Sequence, residues 1–365
     1  MLNVQVKIPP VSAGSYDIKI GSGILSTLWQ QLEKKFAGKK PFVITDKNVE
    51  SAGHLKTLLG SENPPKYIID PPGEISKHIN TVTEIVETME KAALGRDSII
   101  IALCGGTVGD IAGFAAAIFK RGIGVIQIPT TTVSQADSAI GGKTGVDSTI
   151  SKNAYGAFWN PSAVFIDTET LKSLDKKQFN AGLVESVKHA LIADADYFKY
   201  LQDNIDPILA RDAQTLEQLA FRNCSIKAGV VEEDPTEKNK RKILNYGHTI
   251  GHAVESASNF EILHGQAVAI GILGACSIEQ QLGLGDEKRF QQIKDILNKL
   301  DIALKIPPGI TIEKIVEILK HDKKAVNKQP LFVLLEKTGS VRYKDNNWAH
   351  PVPEDIVRKA IEALY

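Results

Sequence analysis

Cysteine is scarce in this chain. Its 365 residues hold three, Cys104, Cys224 and Cys276, an odd number and widely scattered. That spacing excludes a disulfide framework and suits a reducing cytoplasm. No apolar run is long enough to cross a bilayer uninterrupted. Residues 1–7 alternate like a strand and lack the apolar stretch of a signal peptide. Neither sign of charge is in excess: Lys+Arg and Asp+Glu both number 43, for a formal net charge of zero. Neither a nucleic-acid nor a membrane surface is therefore expected as the main partner, although local basic clusters can still hold an anion. Internal repeats and low-complexity segments are absent. What is present is ordinary for a soluble globular protein, with 43% hydrophobic and 24% charged residues. The length suffices for two cores.

Up to about residue 170, short β-rich runs alternate with helix-length segments. The runs fall at 41–45, 66–70, 98–103, 124–128 and 163–167, and a helical pattern spans 81–93. Buried apolar strands separated by helices predict a parallel sheet with crossovers. Past about residue 175 the strand signals nearly vanish, except for an expected small hairpin between 331–335 and 340–343. The natural parse is an α/β nucleotide-binding domain with a parallel sheet at residues 1–174. A mainly α-helical domain follows at 175–365, and the active site is expected in the cleft between them.

Three loops offer groups for an anionic ligand. The run 98–103 enters Cys104-Gly-Gly-Thr-Val-Gly-Asp110 ahead of an apolar helix. Glycines there let backbone N–H groups approach a phosphate at the helix N-terminus, or simply make a tight turn. Pro71-Pro-Gly-Glu-Ile-Ser-Lys77 sets Glu74 for a ribose hydroxyl and Lys77 for a phosphate, or else Ser76 for a helix cap. The third stretch is Pro129-Thr-Thr-Thr-Val-Ser-Gln-Ala-Asp137, then Gly141-Gly-Lys-Thr-Gly-Val146, then Lys152-Asn153. Its G-G-K-T lacks the leading glycine of a phosphate-binding P-loop, which excludes that motif. What it does offer is an opened loop with two lysines and an aspartate, suited to a phosphorylated, hydroxylated substrate.

Further on, Glu185 and Lys188 stand three apart among apolar neighbours, so they share a helix face and a buried role is expected. Lys227, Arg241 and Asn245 precede Asn-Tyr-Gly-His248-Thr-Ile-Gly-His252, and Leu-His264-Gly follows. Three of the eight histidines thus lie within 17 positions. His248 and His252, four apart, share a helix face. Neutral imidazoles with one carboxylate make a three-ligand zinc site with an open position.

The ordered set G-G-x-x-G-D, P-T-T, D-S-x-x-G-G-K-T-G-V, K-N-x-x-G-A-F, G-x-x-E-x-x-K, R-x-x-L-N-[FY]-G-H-T-x-G-H and L-H-G resembles the 3-dehydroquinate synthases, from Glu74 to the Asp322-Lys-Lys324 triplet. The resemblance implies a cytoplasmic homodimeric lyase of the shikimate pathway and aromatic amino acid biosynthesis. Its substrate would be a small phosphorylated sugar acid, 3-deoxy-D-arabino-heptulosonate 7-phosphate, and its products 3-dehydroquinate and phosphate. NAD would be oxidised and re-reduced within each cycle. Carried over by position, the Zn2+ (or Co2+) ligands would be Glu185, His248 and His264, which leaves His252 facing substrate. Substrate would be held by Arg121, Asp137, Lys143, Asn153, Lys188, Lys227, Arg241, Asn245, His252 and one of Lys323 and Lys324. NAD would contact Asp46, Glu74, Lys77, Gly105, Gly106, Asp110, Thr130, Thr131 and Lys152. Three positions depart from the pattern: Cys104 and Thr107 replace glycines, and Gln266 replaces the glutamate of L-H-G-E. Other readings remain at this stage. One is a related cyclase acting on a sugar phosphate without the carboxylate, another a metal-dependent polyol dehydrogenase, a third a non-catalytic NAD-binding relative.

Overall fold

A computed structural model describes residues 14–320 and 329–365. The alternating residues 1–7 and the Lys323/Lys324 pair lie outside them. The first part runs β1 (Ile18–Gly21), α1 (Leu25–Lys35), β2 (Lys40–Asp46), α2 (Lys47–Ser51), α3 (His54–Leu59), β3 (Lys66–Ile69), α4 (Ile79–Lys91), β4 (Ser98–Cys104), α5 (Gly106–Ile118), β5 (Gly124–Pro129), β6 (Lys143–Val146), β7 (Tyr155–Phe158) and β8 (Ala163–Asp167). Six strands form one sheet in the order β1-β8-β5-β4-β2-β3, with every pairing parallel.

A parallel sheet is covered on both faces, so its central strands are apolar throughout rather than alternating. All seven residues of β4 are buried. Ile100 and Ala102 pack with Val82 and Ile85 of α4 and Ile111 of α5, while Ile99, Ile101 and Leu103 pack with Leu28 of α1 and Leu58 of α3. The five predicted strands match β2, β3, β4, β5 and β8, and the predicted helix over 81–93 is α4, two residues earlier at each end. His78, not Ser76, caps α4, because its Nδ1 accepts from Thr81 N at 3.3 Å. Ser76 is engaged elsewhere, donating to Pro71 O at 2.6 Å.

Chain order reverses between β2 and β4: β3 lies outside β2, whereas β5 and β8 continue from β4 on the other side. Ligands of open parallel sheets bind at such a switch point, beyond the carboxyl ends of the strands. Asp46 ends β2, and Gly105 follows β4. The loop after β5 carries Thr130 and Thr131 at that same edge.

The second part is helical: α6 (Lys176–Ala193), α7 (Ala195–Asp203), α8 (Ile205–Leu209), α9 (Ala213–Glu233), α10 (His248–Ala257), α11 (His264–Gln281), α12 (Glu287–Lys299), α13 (Ile312–Lys320) and α14 (Glu354–Glu362). It has its own core, in which Val184, Val187, Ile250, Val268 and Ile272 meet. The expected late hairpin is two separate pairings. Strands at Leu335–Lys337 and Ser340–Val341 form a short hairpin, but Leu331–Phe332 pairs with His350–Pro351. The 331–335 run is therefore split between two partners.

Glycine lets the helices that carry the three clustered histidines touch their neighbours backbone to backbone. A Cβ on Gly265 would lie 1.9 Å from Ala181 O of α6, and one on Gly271 would lie 1.9 Å from Gly247 O at the start of α10. Backbone has no flexible end to yield, so α11 must shift for any side chain to fit. Gly271→Ala is expected to destabilise the chain by about 1–3 kcal/mol through overpacking, measured by urea unfolding against wild type.

Candidate active site

The centre of the site is α6. It passes through the interior with 180–192 buried, which makes Glu185 and Lys188 a buried pair rather than a solvated one. Lys188 Nζ lies 2.5 Å from Glu185 Oε2, with both side chains at most 2% exposed. Glu185 Oε1 is buried and accepts no hydrogen bond. His248 Nε2 and His264 Nε2 lie 3.8 and 3.7 Å from it. Two ligands about 2.0–2.1 Å from a tetrahedral zinc ion are separated by roughly 3.3–3.4 Å, so each imidazole nitrogen stands only slightly farther from the carboxylate oxygen than coordination would require.

Each histidine uses its other nitrogen elsewhere. His248 Nδ1 faces Tyr246 O at 3.0 Å, and His264 Nδ1 faces Glu255 Oε2 at 3.4 Å. Donating Nδ1–H to these acceptors leaves Nε2 with its lone pair toward Glu185, the tautomer a metal requires. The chemistry of these donors, two imidazoles and a carboxylate, suits a divalent ion. His252 completes a second possible set, since donor atoms of His248, His252 and His264 all lie within 4.8 Å of one another.

Burial and the nearby Lys188 push His248 down to about 3, so it is neutral at ordinary pH. Burial also disfavours charge on His264, but the carboxylates of Glu185 and Glu255 outweigh it and raise His264 to about 9. Without metal, His264 carries the proton that balances this acidic pair.

Beside these groups lies a second charge cluster. Asp137 Oδ1 is 2.7 Å from Lys227 Nζ and 3.6 Å from His189 Nε2. Donor atoms of Asp137, Glu185 and His189 also come within 4.8 Å of one another. The ammonium groups of Lys188 and Lys227 already neutralise those carboxylates, so this cluster is a holder of cations on side chains rather than a second metal site. Burial lowers Lys227 to about 8 despite Asp137, which favours its charged form.

Arg241 is almost wholly buried. Its backbone N donates to Asp234 Oδ2 at 3.0 Å and its Nη1 to Pro235 O at 2.6 Å. Asn245 Nδ2 donates to Glu237 Oε1 at 2.7 Å, and Lys143 pairs with the other oxygen of Glu237. Asn153 is exposed on the loop between β6 and β7, its N–H donating to Asp147 Oδ1 at 2.7 Å. Arg121 is not brought among these residues within one chain. It is exposed at the turn entering β5, at the opposite end of that strand from Thr130 and Asp137.

The nucleotide side gathers at the switch point. Gly105 caps α5 and Gly106 is its first residue, so the helix N-terminus faces the cleft edge as an anion seat. Lys77 Nζ pairs with Asp110 Oδ2 at 2.7 Å. Glu74 takes Lys152 Nζ at 3.2 Å and Thr107 Oγ1 at 3.0 Å. Asp46 caps α2 by accepting from Val49 N at 2.9 Å. Of the departures, Cys104 turns its thiol into the core, 3.4 Å from Gln127 Oε1, leaving the glycine loop clear. Thr107 uses its hydroxyl to hold Glu74.

Three residues escaped the sequence reading. His189 stands four after Glu185, the same spacing that singled out His248 and His252. Glu255 stands three after His252 on the same helix face. Glu237 lies in a polar loop with no periodic signal.

Known proteins resemble this one over its whole length. Residues 67–181 match the family described as 3-dehydroquinate synthase N-terminal, and residues 182–325 match 3-dehydroquinate synthase C-terminal. A 3-dehydroquinate synthase of Ruminiclostridium cellulolyticum is 43% identical over 361 residues, covering 97% of this chain and 98% of its own. Among solved structures, a 2-deoxy-scyllo-inosose synthase complexed with carbaglucose-6-phosphate, NAD+ and Co2+ superposes with a TM-score of 0.85 at 29% identity, covering 95% of this chain and 96% of its own. The 2-epi-5-epi-valiolone synthase of Streptomyces hygroscopicus, with NAD+ and Zn2+ bound, shares the fold with a TM-score of 0.86 at 24% identity, covering 98% and 99%.

A metal at His264 must displace its proton. Because that group is raised to about 9, protons compete with the metal below that pH and stop competing above it. Apparent zinc affinity is expected to rise by up to about tenfold per pH unit from about pH 6 and to level off near 9. Competition with a chelating dye across that range measures it, and a flat profile contradicts it.

Proposed function

Since the chain belongs to the 3-dehydroquinate synthase family, we propose that it converts 3-deoxy-D-arabino-heptulosonate 7-phosphate to 3-dehydroquinate and phosphate, within the shikimate pathway. The observation that carries this reading is three features linked through Lys152, whose ammonium group contacts both Glu255 and Glu74. Glu185 Oε1 stands unbonded between two imidazoles, a buried cation cluster adjoins it, and a glycine-opened helix N-terminus lies at the switch point. Residues 1–174 would form the NAD-binding domain and 175–365 the metal- and substrate-binding domain. NAD and a divalent metal, Zn2+ or Co2+, are its cofactors, and we assign the metal to Glu185, His248 and His264. Choosing Glu185 over His252 follows from charge, because a sealed carboxylate oxygen left unmet costs far more than a half-buried imidazole left outside the set.

When bound, the metal and the nicotinamide supply Lewis acidity and reversible oxidation of a substrate hydroxyl. The chain's own residues do the rest. Lys188 and Lys227, fixed by Glu185 and Asp137, present oriented ammonium groups to the substrate's oxygens. Arg241 offers a planar fork for the carboxylate, and Lys143, Asn153, Asn245 and His252 take the phosphate and remaining hydroxyls. This preorganisation holds one conformer of a flexible, multiply charged sugar acid while phosphate leaves and the ring closes. Among the described residues no helix is long and apolar enough to cross a membrane. A cytoplasmic homodimer remains part of the proposal, resting on the family resemblance.

The test is an assay of purified protein with the sugar-acid phosphate and NAD, in which phosphate and dehydroquinate should appear together without growth of NADH absorbance. Stoichiometric NADH would favour a polyol dehydrogenase, and equal turnover of a seven-carbon phosphate lacking the carboxylate would favour a broader cyclase. His264→Ala should lose metal and turnover together, whereas His252→Ala should keep most of its metal by elemental analysis. Arg241→Lys, which cannot reproduce the bidentate fork, should cost on the order of 2–4 kcal/mol in transition-state stabilisation, read as a fall in kcat/KM with zinc and NAD binding retained. Because Lys227 titrates near 8, kcat/KM should decline above that pH in wild type. The decline should shift to higher pH in Lys227→Arg.

A further inference from the structure

Glu255, which meets the outer nitrogen of His264, also sits between the two halves of the site. Its side chain is 9% exposed, and its two oxygens face opposite ways. Oε2 meets Nδ1 of His264 at 3.4 Å. Oε1 meets Nζ of Lys152 at 3.3 Å. Lys152 stands in the loop between β6 and β7, 103 positions away in the chain. The same ammonium group lies 3.2 Å from Glu74 Oε1, and Glu74 accepts from Thr107 in the first turn of α5. An unbroken sequence of polar contacts therefore runs from a metal donor, His264, through Glu255, Lys152 and Glu74, to the glycine-opened end of α5.

We propose that Glu255 is a positioning residue that orients His264 toward the metal and, through Lys152, couples occupancy of the nucleotide site to metal affinity. The first half follows from imidazole chemistry. A histidine that ligates through Nε2 is held in the right tautomer and ring orientation by an acceptor at Nδ1, and losing such a partner commonly weakens metal binding 10–100-fold. The second half follows from sharing. One ammonium group serves both Glu74 and Glu255. A bound nucleotide engages Lys152 and Glu74, so Glu255 keeps less of that ammonium and gives more of its charge to the Nδ1–H of His264. NAD therefore tightens metal binding. By linkage, metal tightens NAD binding by the same factor.

The experiment measures equilibrium binding rather than turnover. Zinc affinity is determined by chelator competition with and without saturating NAD, and NAD affinity with and without zinc, on the full chain. Wild type should show reciprocal tightening of about fivefold or more. Glu255→Gln keeps the shape and removes the charge, so its zinc affinity should fall about 10–100-fold and the coupling should vanish. Glu255→Asp should restore part of both. Lys152→Gln removes the shared ammonium, so without NAD it should bind zinc about as tightly as wild type does with NAD bound and show no further tightening when NAD is added, which tests the link even if Glu255→Gln folds poorly. Wild-type zinc affinity in a folded Glu255→Gln overturns the positioning role, and coupling that survives in either variant overturns the link. The proposal rests on His264 being a metal ligand. If His264→Ala retained wild-type zinc affinity, that reading would fail. Zinc lost in His264→Ala but unchanged in Glu255→Gln would defeat this proposal alone.

Discussion

An ionised carboxylate sealed inside a protein must be met by positive charge, since the desolvation penalty is several kcal/mol per ion. Glu185 imposes that demand here, and much of the site is the answer to it. Lys188 meets one oxygen. The other faces the two imidazole nitrogens, and the acidic pair of Glu185 and Glu255 favours a proton on His264. Asp137 repeats the arrangement next door, where Lys227 meets it. Coulomb attraction from Lys227 and Lys188 holds Asp137 well below the usual carboxylate range despite its burial. The chain carries no net charge, but its interior here is a lattice of alternating charges, each fixed by the next.

Such a lattice can exist only where packing holds it. The parallel sheet brings three loops to its carboxyl edge at one switch point, and α6 passes behind with almost every residue of its last three turns buried. Its neighbour Asn223 shows how the lattice is anchored. The Asn223 Oδ1 meets His189 Nδ1 and accepts from Tyr197 OH, both at 3.1 Å, and its Nδ2 donates to Ser186 Oγ at 2.8 Å. These bonds orient His189 toward Asp137. A polar network inside a core is costly if half satisfied and rigid if nearly complete, and rigidity is what oriented ammonium groups require.

The legible part of the fold was the part dominated by burial. β2, β4, β5 and β8 are continuous apolar runs because both faces of the sheet are covered, and periodicity reports that directly. The β6–β7 ribbon has no strand signal, since Gly145 and Gly156 interrupt it, Gly141 and Gly142 precede it and its tip is exposed. β1 was also missed, being four residues long and only half-buried. In the site, the histidine cluster is legible by its spacing and the loop lysines by their glycine-rich setting, whereas Glu185 is singled out as a metal donor only by the ordered resemblance. His189 and Glu255 carried helical spacings that a search for carboxylate and imidazole at i, i+3 or i, i+4 would have found. The contact of Glu237 with Lys143 joins residues 94 apart, and that of Lys152 with Glu255 joins residues 103 apart. Pairs of that kind come from topology, and no local pattern announces them.

The two kinds of group in the cleft are mounted differently, and the difference follows from their tasks. The donors proposed for the metal stand on helices whose backbones touch at Gly265 and Gly271, where a shift of a few tenths of an ångström would spoil a coordination sphere. Several of the groups proposed to hold the anion, Lys143, Lys152, Asn153 and Asn245, stand on loops or at the ends of short elements, and Lys143 and Asn245 are held by Glu237, itself in a loop with φ of 58°. Charge attraction falls off slowly with distance, so a loop can adjust around a substrate that changes shape during the reaction. Coordination does not tolerate such adjustment. A rigid helical floor with a charged, adjustable rim is therefore the arrangement that lets one cleft keep its metal geometry while the sugar acid passes through several forms.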